Sequence, residues 1–245
     1  MSACVLQSHR HPLPHAWLEP CLNSVRGWAE AHNYEYLFQG DELFENLPSD
    51  IAARADLSCV IKSDLARLLA MQQLLQQFDA VVWLDADVLV VDQAAFTLPS
   101  TMAVGREHWV QQNDKGAWRN YKKVHNAMMV FHRGDAFLPF YAETAERFLR
   151  ANQVAMPPQF IGPKLLTALH NVVQLPVWEQ AGMMSPAVGL DILGQGDGQA
   201  LALFQRSCLE PIGAINLCSS SCQRGDLSDQ QMFEIIGTLK ERGRV

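Results

Sequence analysis

Apolar positions along this chain follow two rhythms. Short runs such as "ACVLQSH" (3–9) and "YEYLFQ" (34–39) read as strands. Leu18, Leu22, Val25 and Trp28 instead recur at helical spacing within "WLEPCLNSVRGWAEAHN". "DELFENLPSDIAARA" (41–55) is predicted to be loop with a short helix. The clearest helix is "KSDLARLLAMQQLLQQFDA" (62–80), with Ser63 as its expected N-cap and Leu65, Leu68, Leu69 and Leu75 along one face. "AVVWLDADVLVV" (80–91) has the near-continuous apolar run of a buried central strand. "MAVGREHW" and "NAMMVFHR" also read as strands. "DAFLPFYAETAERFLRAN" reads as a helix interrupted near Pro139, and "QFIGPKLLTALHN" as a helix with Pro163 near its first turn. The tail, "SDQQMFEIIGTLKERGRV", starts at a capping serine and carries Met232, Ile235, Ile236 and Leu239 toward a core. Alternating strands and helices predict an open α/β sheet with helices packed on both faces. No Pro/Gly/Ser-rich linker divides residues 1–245, so one domain is expected.

Within that pattern one run stands out, because Asp85 and Asp87 interrupt an otherwise apolar stretch. Burying an unpaired carboxylate is costly, so something must offset these two. On a strand, residues i and i+2 point the same way, and ligand sites in open α/β sheets lie beyond the carboxyl ends of strands. A hard divalent cation, Mg²⁺ or Mn²⁺, held by both carboxylates would resolve the puzzle. The plainer alternative is one aspartate capping a turn while the other pairs with an arginine. Just upstream, "KSDLAR" sets Asp64 and Arg67 three apart, on one face of the expected first helical turn, where free N–H groups favour anions.

Composition narrows the partners. The net charge of −7 leaves no basic surface for nucleic acid. No run approaches the roughly 18 apolar residues of a membrane-spanning helix, and the N-terminus carries no stretch of signal-peptide length. Six scattered cysteines suit a reducing compartment, so a cytoplasmic location is expected. Cys218 and Cys222 lack the further ligands of a structural zinc site. The histidines of "SHRHPLPH" are too irregular for a metal site, and "GQGDGQ" (194–199) reads as a turn rather than a phosphate loop.

Several of these segments in order ("VLQSH", "GWAEAHNYEYLFQGDE", "SDLAR", "WLDADVLV") resemble the D-x-D sugar transferases of glycosyltransferase family 32 and the related clostridial glucosylating toxins. "HNAMMVFHRGDAFL" and "FIGPKLLTAL" extend the likeness. The resemblance implies a GT-A type nucleotide-diphospho-sugar transferase fold with an open mixed sheet. It also implies metal-dependent sugar transfer, with retention, from a nucleotide-diphosphate donor to a glycan or other hydroxyl acceptor. By position, Gln7 and Ser8 would lie near the nucleoside, and Asp64 and Arg67 near the donor sugar and diphosphate. Asp85 would approach sugar hydroxyls and the metal, Asp87 would ligate it directly, and Asn126 would border the donor sugar. The late histidine ligand expected of such enzymes is missing from "GAINLCSSSCQRG", where Asn216, Ser219 or Ser220 offers an oxygen instead.

Two rival readings remain. "VWLDADVLV" also resembles the motif of haloacid-dehalogenase-type phosphatases, with Asp85 as nucleophile, Asp87 as acid–base and Asp197 as a later acid. Alternatively, the missing histidine suits an inactive nucleotide-sugar-binding module. The polar stretch "REHWVQQNDKGAWRNYKK" (106–123) reads as a loop that either closes over the donor, stacks on an acceptor sugar, or packs its aromatics onto the domain. His125 and His132 are expected to be structural.

Overall fold

The computed structural model describes residues 1–152 and 156–245. The first strand, β1 (Ala3–Ser8), pairs in parallel with β2 (Glu35–Gln39) on one side and β3 (Ala80–Leu84) on the other. Helix α1 (Leu18–Ala31) connects β1 to β2; α2 (Ser49–Ala52) and α3 (Cys59–Leu74) lie between β2 and β3. After β3 come β4 (Val88–Val90), the long hairpin strands β5 (Ala103–Gln112) and β6 (Trp118–His132), and helices α4 (Phe137–Ala151) and α5 (Leu165–Val173). The chain ends in β7 (Val177–Trp178), β8 (Ala181–Met183), α6 (Pro186–Ile192), α7 (Gln199–Ser207), β9 (Ala214–Asn216), α8 (Ser220–Arg224) and α9 (Asp229–Arg242). The main sheet has the order β2-β1-β3-β6-β5-β7, with β6 antiparallel to β3 and β5; a second sheet has the order β4-β9-β8.

The period-2 alternation of the strands sorts their side chains onto two cores. Cys4, Leu6, Val81, Trp83, Met129 and Phe131 face Ile61, Leu65 and Met71 of α3 and Tyr141, Ala145 and Leu149 of α4. Val5, Val82, Leu84, Met128 and Val130 face Val25, Trp28 and Ala29 of α1. Each fully buried large apolar side chain contributes about 1.5–3 kcal/mol, so strands apolar on both faces hold a helix layer on each side. This is the expected open mixed sheet flanked by helices on both faces. A third core unites Leu89, Ile215 and Leu217 with the C-terminal helices, including all four apolar residues expected of α9. The serine expected to start that helix, Ser228, forms a capping box with Gln231.

Four local expectations are corrected. The apolar run 80–91 is not one strand: β3 stops at Leu84, the chain turns through Asp85–Asp87, and β4 enters the other sheet. Its two halves are apolar because they serve two different cores, which a continuous apolar run cannot reveal. Helix α3 begins a turn earlier than expected: Ser58 is its N-cap, accepting from the Ile61 N–H at 3.3 Å, while Ser63 lies inside and donates to the Val60 carbonyl. Asp64 and Arg67 therefore sit in the helix interior, and the free N–H groups of a first turn do not serve them. Residues 106–123 are not a loop but the arms of the β5–β6 hairpin. Finally, Pro139 does not interrupt α4; it occupies the first turn, where a missing N–H is harmless, and Asp135 caps the Phe137 N–H at 2.7 Å.

Gly213 lies where the chain after β4 closes tightly on the approach to β9. It accepts from the N–H groups of Val91 and Asp92, and a Cβ there would lie 2.7 Å from the Phe96 Cα. Backbone on both sides leaves little room to yield. Gly213→Ala is expected to destabilise the protein by about 1–3 kcal/mol, read from the midpoint of urea unfolding.

Candidate functional site

The carboxyl ends of β1 and β3 open on a cleft of about 840 Å³, lined among others by Ser8, Asp64, Arg67, Asp85, Asp87 and Asn126. The turn after β3 delivers the two aspartates of the D-x-D run. It is held by the Asp85 N–H on the Ala127 carbonyl (2.8 Å), the Val88 N–H on the Asp85 carbonyl (3.0 Å) and the Gln7 amide on that same carbonyl (3.1 Å). Both carboxylates reach the cleft by this turn, not by the i, i+2 alternation of a strand.

Arg67 is the hub. Its buried guanidinium donates to Asp85 Oδ1 at 2.8 Å, lies 3.1 Å from Asp64 Oδ1, and donates to the Asn126 carbonyl at 3.2 Å. Its face rests on the Trp83 ring, 4.6 Å from the centroid, and the Trp83 indole N–H donates to Asp85 Oδ1 at 2.6 Å. Asn126 completes the knot by donating to Asp64 Oδ1 at 2.8 Å. Two oxygens are left over. Asp64 Oδ2 is buried with no hydrogen-bond partner, and Asp85 Oδ2 takes none among the described residues, although 29% of that side chain is open to the cleft. Gly162 lies against this knot: a Cβ there would sit 2.3 Å from Asp64 Oδ2.

Asp87 is held from the other sheet. Its Oδ1 accepts from the Asn216 amide at 2.5 Å and its Oδ2 from the Ser219 N–H at 2.7 Å. The Asn216 side-chain amide oxygen accepts in turn from the N–H of Cys218, a residue with φ of +59°. A non-glycine residue in the left-handed region is strained, and that bond helps to hold it. Asn216 thus orients Asp87 and keeps one lone pair on its amide oxygen.

These surroundings shift the carboxyls. Burial pushes the Asp85 pKa from 3.8 up to about 7; Arg67 and Trp83 oppose the rise, while Asp87 and Asp64 reinforce it. Burial likewise raises Asp64, against the pull of Arg67 and Asn126. Burial works against the Arg67 charge, but Asp85 and Asp64 outweigh it, so its pKa lies above the usual value. The pocket is short of positive charge.

The available donors suit a hard cation. Among the described residues no three His, Cys, Asp or Glu side chains gather in one metal cluster, so neither Cys218 nor Cys222 anchors such a group. The donors gathered at the turn after β3 are oxygens: Asp85 Oδ2, the second lone pairs of the Asp87 oxygens, and the amide oxygen of Asn216. Two carboxylates with open coordination positions fit Mg²⁺ or Mn²⁺, which retain waters or substrate oxygens rather than sit in an all-protein cage.

Of the residues singled out from the sequence, Ser8, Asp64, Arg67, Asp85, Asp87, Asn126 and Asn216 all line the cleft. Gln7 does not. Its side chain is wholly buried behind the site, where it accepts from the Tyr36 hydroxyl at 3.0 Å and clamps the Asp85 carbonyl. Trp83 was overlooked as a working residue, although its place two residues before Asp85 on β3 was the available signal. His9, Arg10 and His15 also line the cleft, which their irregular spacing did not reveal.

An open mixed sheet with a helix layer on each face and an acidic cleft at its carboxyl edge is the architecture of GT-A glycosyltransferases, and this chain has that fold. Among solved structures it is similar to a glycosyltransferase involved in the glycosylation of the major capsid of PBCV-1, with a TM-score of 0.51 and 12% identity over 94% of this chain and 99% of that one. It is also similar to mouse xyloside xylosyltransferase 1 in its apo form, with a TM-score of 0.47 and 11% identity over 89% of this chain and 98% of that one, a likeness too slight to carry weight. No family model matches the chain, and no curated protein does. At these identities the likeness speaks for the fold alone.

Titration tests the electrostatics directly. In cation-free protein the Asp85 carboxyl carbon is expected to titrate near pH 7 by ¹³C NMR; a midpoint in the ordinary carboxylate range would refute the burial of that carboxyl. The linked stability has a definite sign. Folded Asp85 keeps its proton above 3.8, where the unfolded chain has released it, so its contribution is lost as pH rises to about 7. His125, which burial holds down from 6.5 to about 4, acts oppositely: its contribution is lost as pH falls across that interval.

Proposed function

We propose that this protein is a glycosyltransferase that moves a sugar from a nucleotide diphosphate to a glycan or other hydroxyl acceptor, with retention at the anomeric carbon. The observation that carries the reading is Asp85 Oδ2, a carboxylate oxygen that takes no partner among the described residues, on a side chain 29% open to the acidic cleft. Such an oxygen is free to meet a ligand, and a cation or a donor-sugar hydroxyl is a group able to take it. The ordered resemblance of "SDLAR", "WLDADVLV" and the flanking segments to family 32 transferases supports the same assignment.

On this reading Asp87 and Asp85 hold Mn²⁺ or Mg²⁺, with the Asn216 oxygen beside them. A bound cation there would neutralise charge on the departing diphosphate. The remaining work belongs to the chain. Arg67 fixes Asp64 and Asp85 relative to each other and adds positive charge next to the diphosphate. Asn126 holds Asp64 in place from the opposite side, and Ser8 borders the nucleoside. The bond from the anomeric carbon to the β-phosphate oxygen breaks as the acceptor oxygen bonds to the same face. The leaving phosphate oxygen takes the acceptor proton, so no protein nucleophile is required. Catalysis then rests on positioning and charge stabilisation.

The test is release of nucleoside diphosphate from a panel of UDP- and GDP-sugars with Mn²⁺. Turnover is expected in the unaltered protein, none in Asp87→Ala, and a loss of about a hundredfold or more in Asp64→Asn. Phosphomonoester hydrolysis without nucleotide-sugar turnover would overturn the reading in favour of a phosphatase. Nucleotide-sugar binding without any turnover would overturn it in favour of a binding module.

A further inference from the structure

A second cavity, of about 1100 Å³, adjoins the first; Gln159, Pro163, Met183, Cys218 and Ser220 line both. The β5–β6 hairpin supplies much of its lining, Val110, Gln112 and Trp118 included. The register places Gly105 opposite His125, Glu107 opposite Lys123, Trp109 opposite Tyr121 and Gln111 opposite Arg119. Residues directly opposite share a face, and His125, Glu107, Lys123, Trp109, Tyr121 and Gln111 all line the cavity. A ladder of side chains thus runs outward from the acidic cleft: a charge pair first, then an aromatic pair, then polar groups.

The aromatic pair has no structural duty that accounts for it. Trp118, on the same hairpin, packs against the core formed by the C-terminal helices. Trp109 and Tyr121 belong to none of the packed cores among the described residues, and Tyr121 is 40% exposed. The Trp109 indole N–H is turned along the strand to Gln111 Oε1 at 3.0 Å, and its side chain is partly exposed. Rigid, half-exposed aromatic rings flanked by hydrogen-bonding groups suit a ligand that is apolar on one face and polar around its edge. A pyranose ring has that character: its axial C–H groups form an apolar face, and its hydroxyls radiate from the rim. Glu107 offers acceptors and Lys123 donors to such hydroxyls. A peptide would seek a strand edge for its backbone, whereas Trp109 and Tyr121 stand on the face of the hairpin.

We propose that this hairpin face is the acceptor subsite, and that the acceptor is an oligosaccharide seated with one ring on Trp109 and Tyr121 and its reacting end toward Asp85 and Asp87. The inference rests on the glycosyltransferase reading for its direction, but saccharide binding can be tested without it.

The probes are cellotetraose, chitotetraose and maltotetraose, measured by saturation-transfer NMR and calorimetry on the whole protein. At least one is expected to bind. Trp109→Ala and Tyr121→Ala should each weaken it about tenfold, while Trp109→Phe, which keeps a ring, should retain most of the affinity. Thermal shifts induced by UDP or GDP with Mn²⁺ should be unchanged in all three variants, which also shows that they fold. Failure of all three probes to bind, or binding indifferent to Trp109→Ala, would overturn the proposal even if nucleotide-sugars are turned over. Saccharide binding lost in Trp109→Ala, in a protein that turns over no nucleotide-sugar, would uphold the subsite and overturn the transferase reading instead.

Discussion

One buried guanidinium organises this molecule. Arg67 ties a helix, α3, to the turn at the end of β3 and to the carbonyl of Asn126 on β6, and it lies flat on Trp83. Removing one partner from a buried ion pair costs about 3–5 kcal/mol, because the other charge is stranded. Here the stakes are higher, since Asp64, Asp85 and Asp87 all act on a single cation. One guanidinium cannot neutralise three carboxylates. Burial raises the Asp85 pKa, with Asp87 and Asp64 adding to the rise, and one oxygen of Asp64 meets no donor among the described residues. On the proposed function, a metal-bound nucleotide-sugar would supply the positive charge that these carboxylates lack.

The second constraint is geometric. The three residues Asp85–Asp87 bridge two sheets, so the register of each sheet sets the position of one carboxylate. Asp85 inherits its place from β3 through Ala127 and Gln7, whereas Asp87 inherits its place from β9 through Asn216 and from the Ser219 N–H. The Asp87 carbonyl also accepts from the Leu217 N–H at 2.9 Å, which closes the seam. The strained backbone at Cys218 lies on this seam, as expected where a loop is bent to aim polar groups. The hairpin of β5 and β6 then extends the main sheet past the acidic cleft, and its aromatic ladder continues the same concave surface.

Much of this was legible from residue order. Apolar rhythm identified most elements, because burial on both sheet faces leaves near-continuous apolar runs and burial on one helix face leaves 3.6-residue spacing. The carboxylates of the D-x-D run, with Asp64 and Arg67, stood out because charged groups amid apolar ones demand partners. What rhythm could not deliver was which core each apolar residue joins. Residues 80–91 look like one strand because Val81 and Leu89 are equally apolar, yet they belong to different sheets. Residues 106–123 look like a loop because a hairpin arm that faces a cavity needs no apolar alternation. Gln7 read as a ligand-facing residue, but only its depth behind the cleft shows that it serves the Asp85 carbonyl.

The sequence by itself therefore determined the fold class, the elements as far as α5 in outline, the last helix, and the residues able to carry charge-based chemistry. Those properties follow from local periodicity and from the high cost of burying an ion. The tertiary structure alone decided how the charges are shared, which oxygens are left without partners, and which aromatic rings remain uncovered. These depend on distances between segments such as Arg67 and Asp85, or Asp87 and Asn216, that no local pattern encodes.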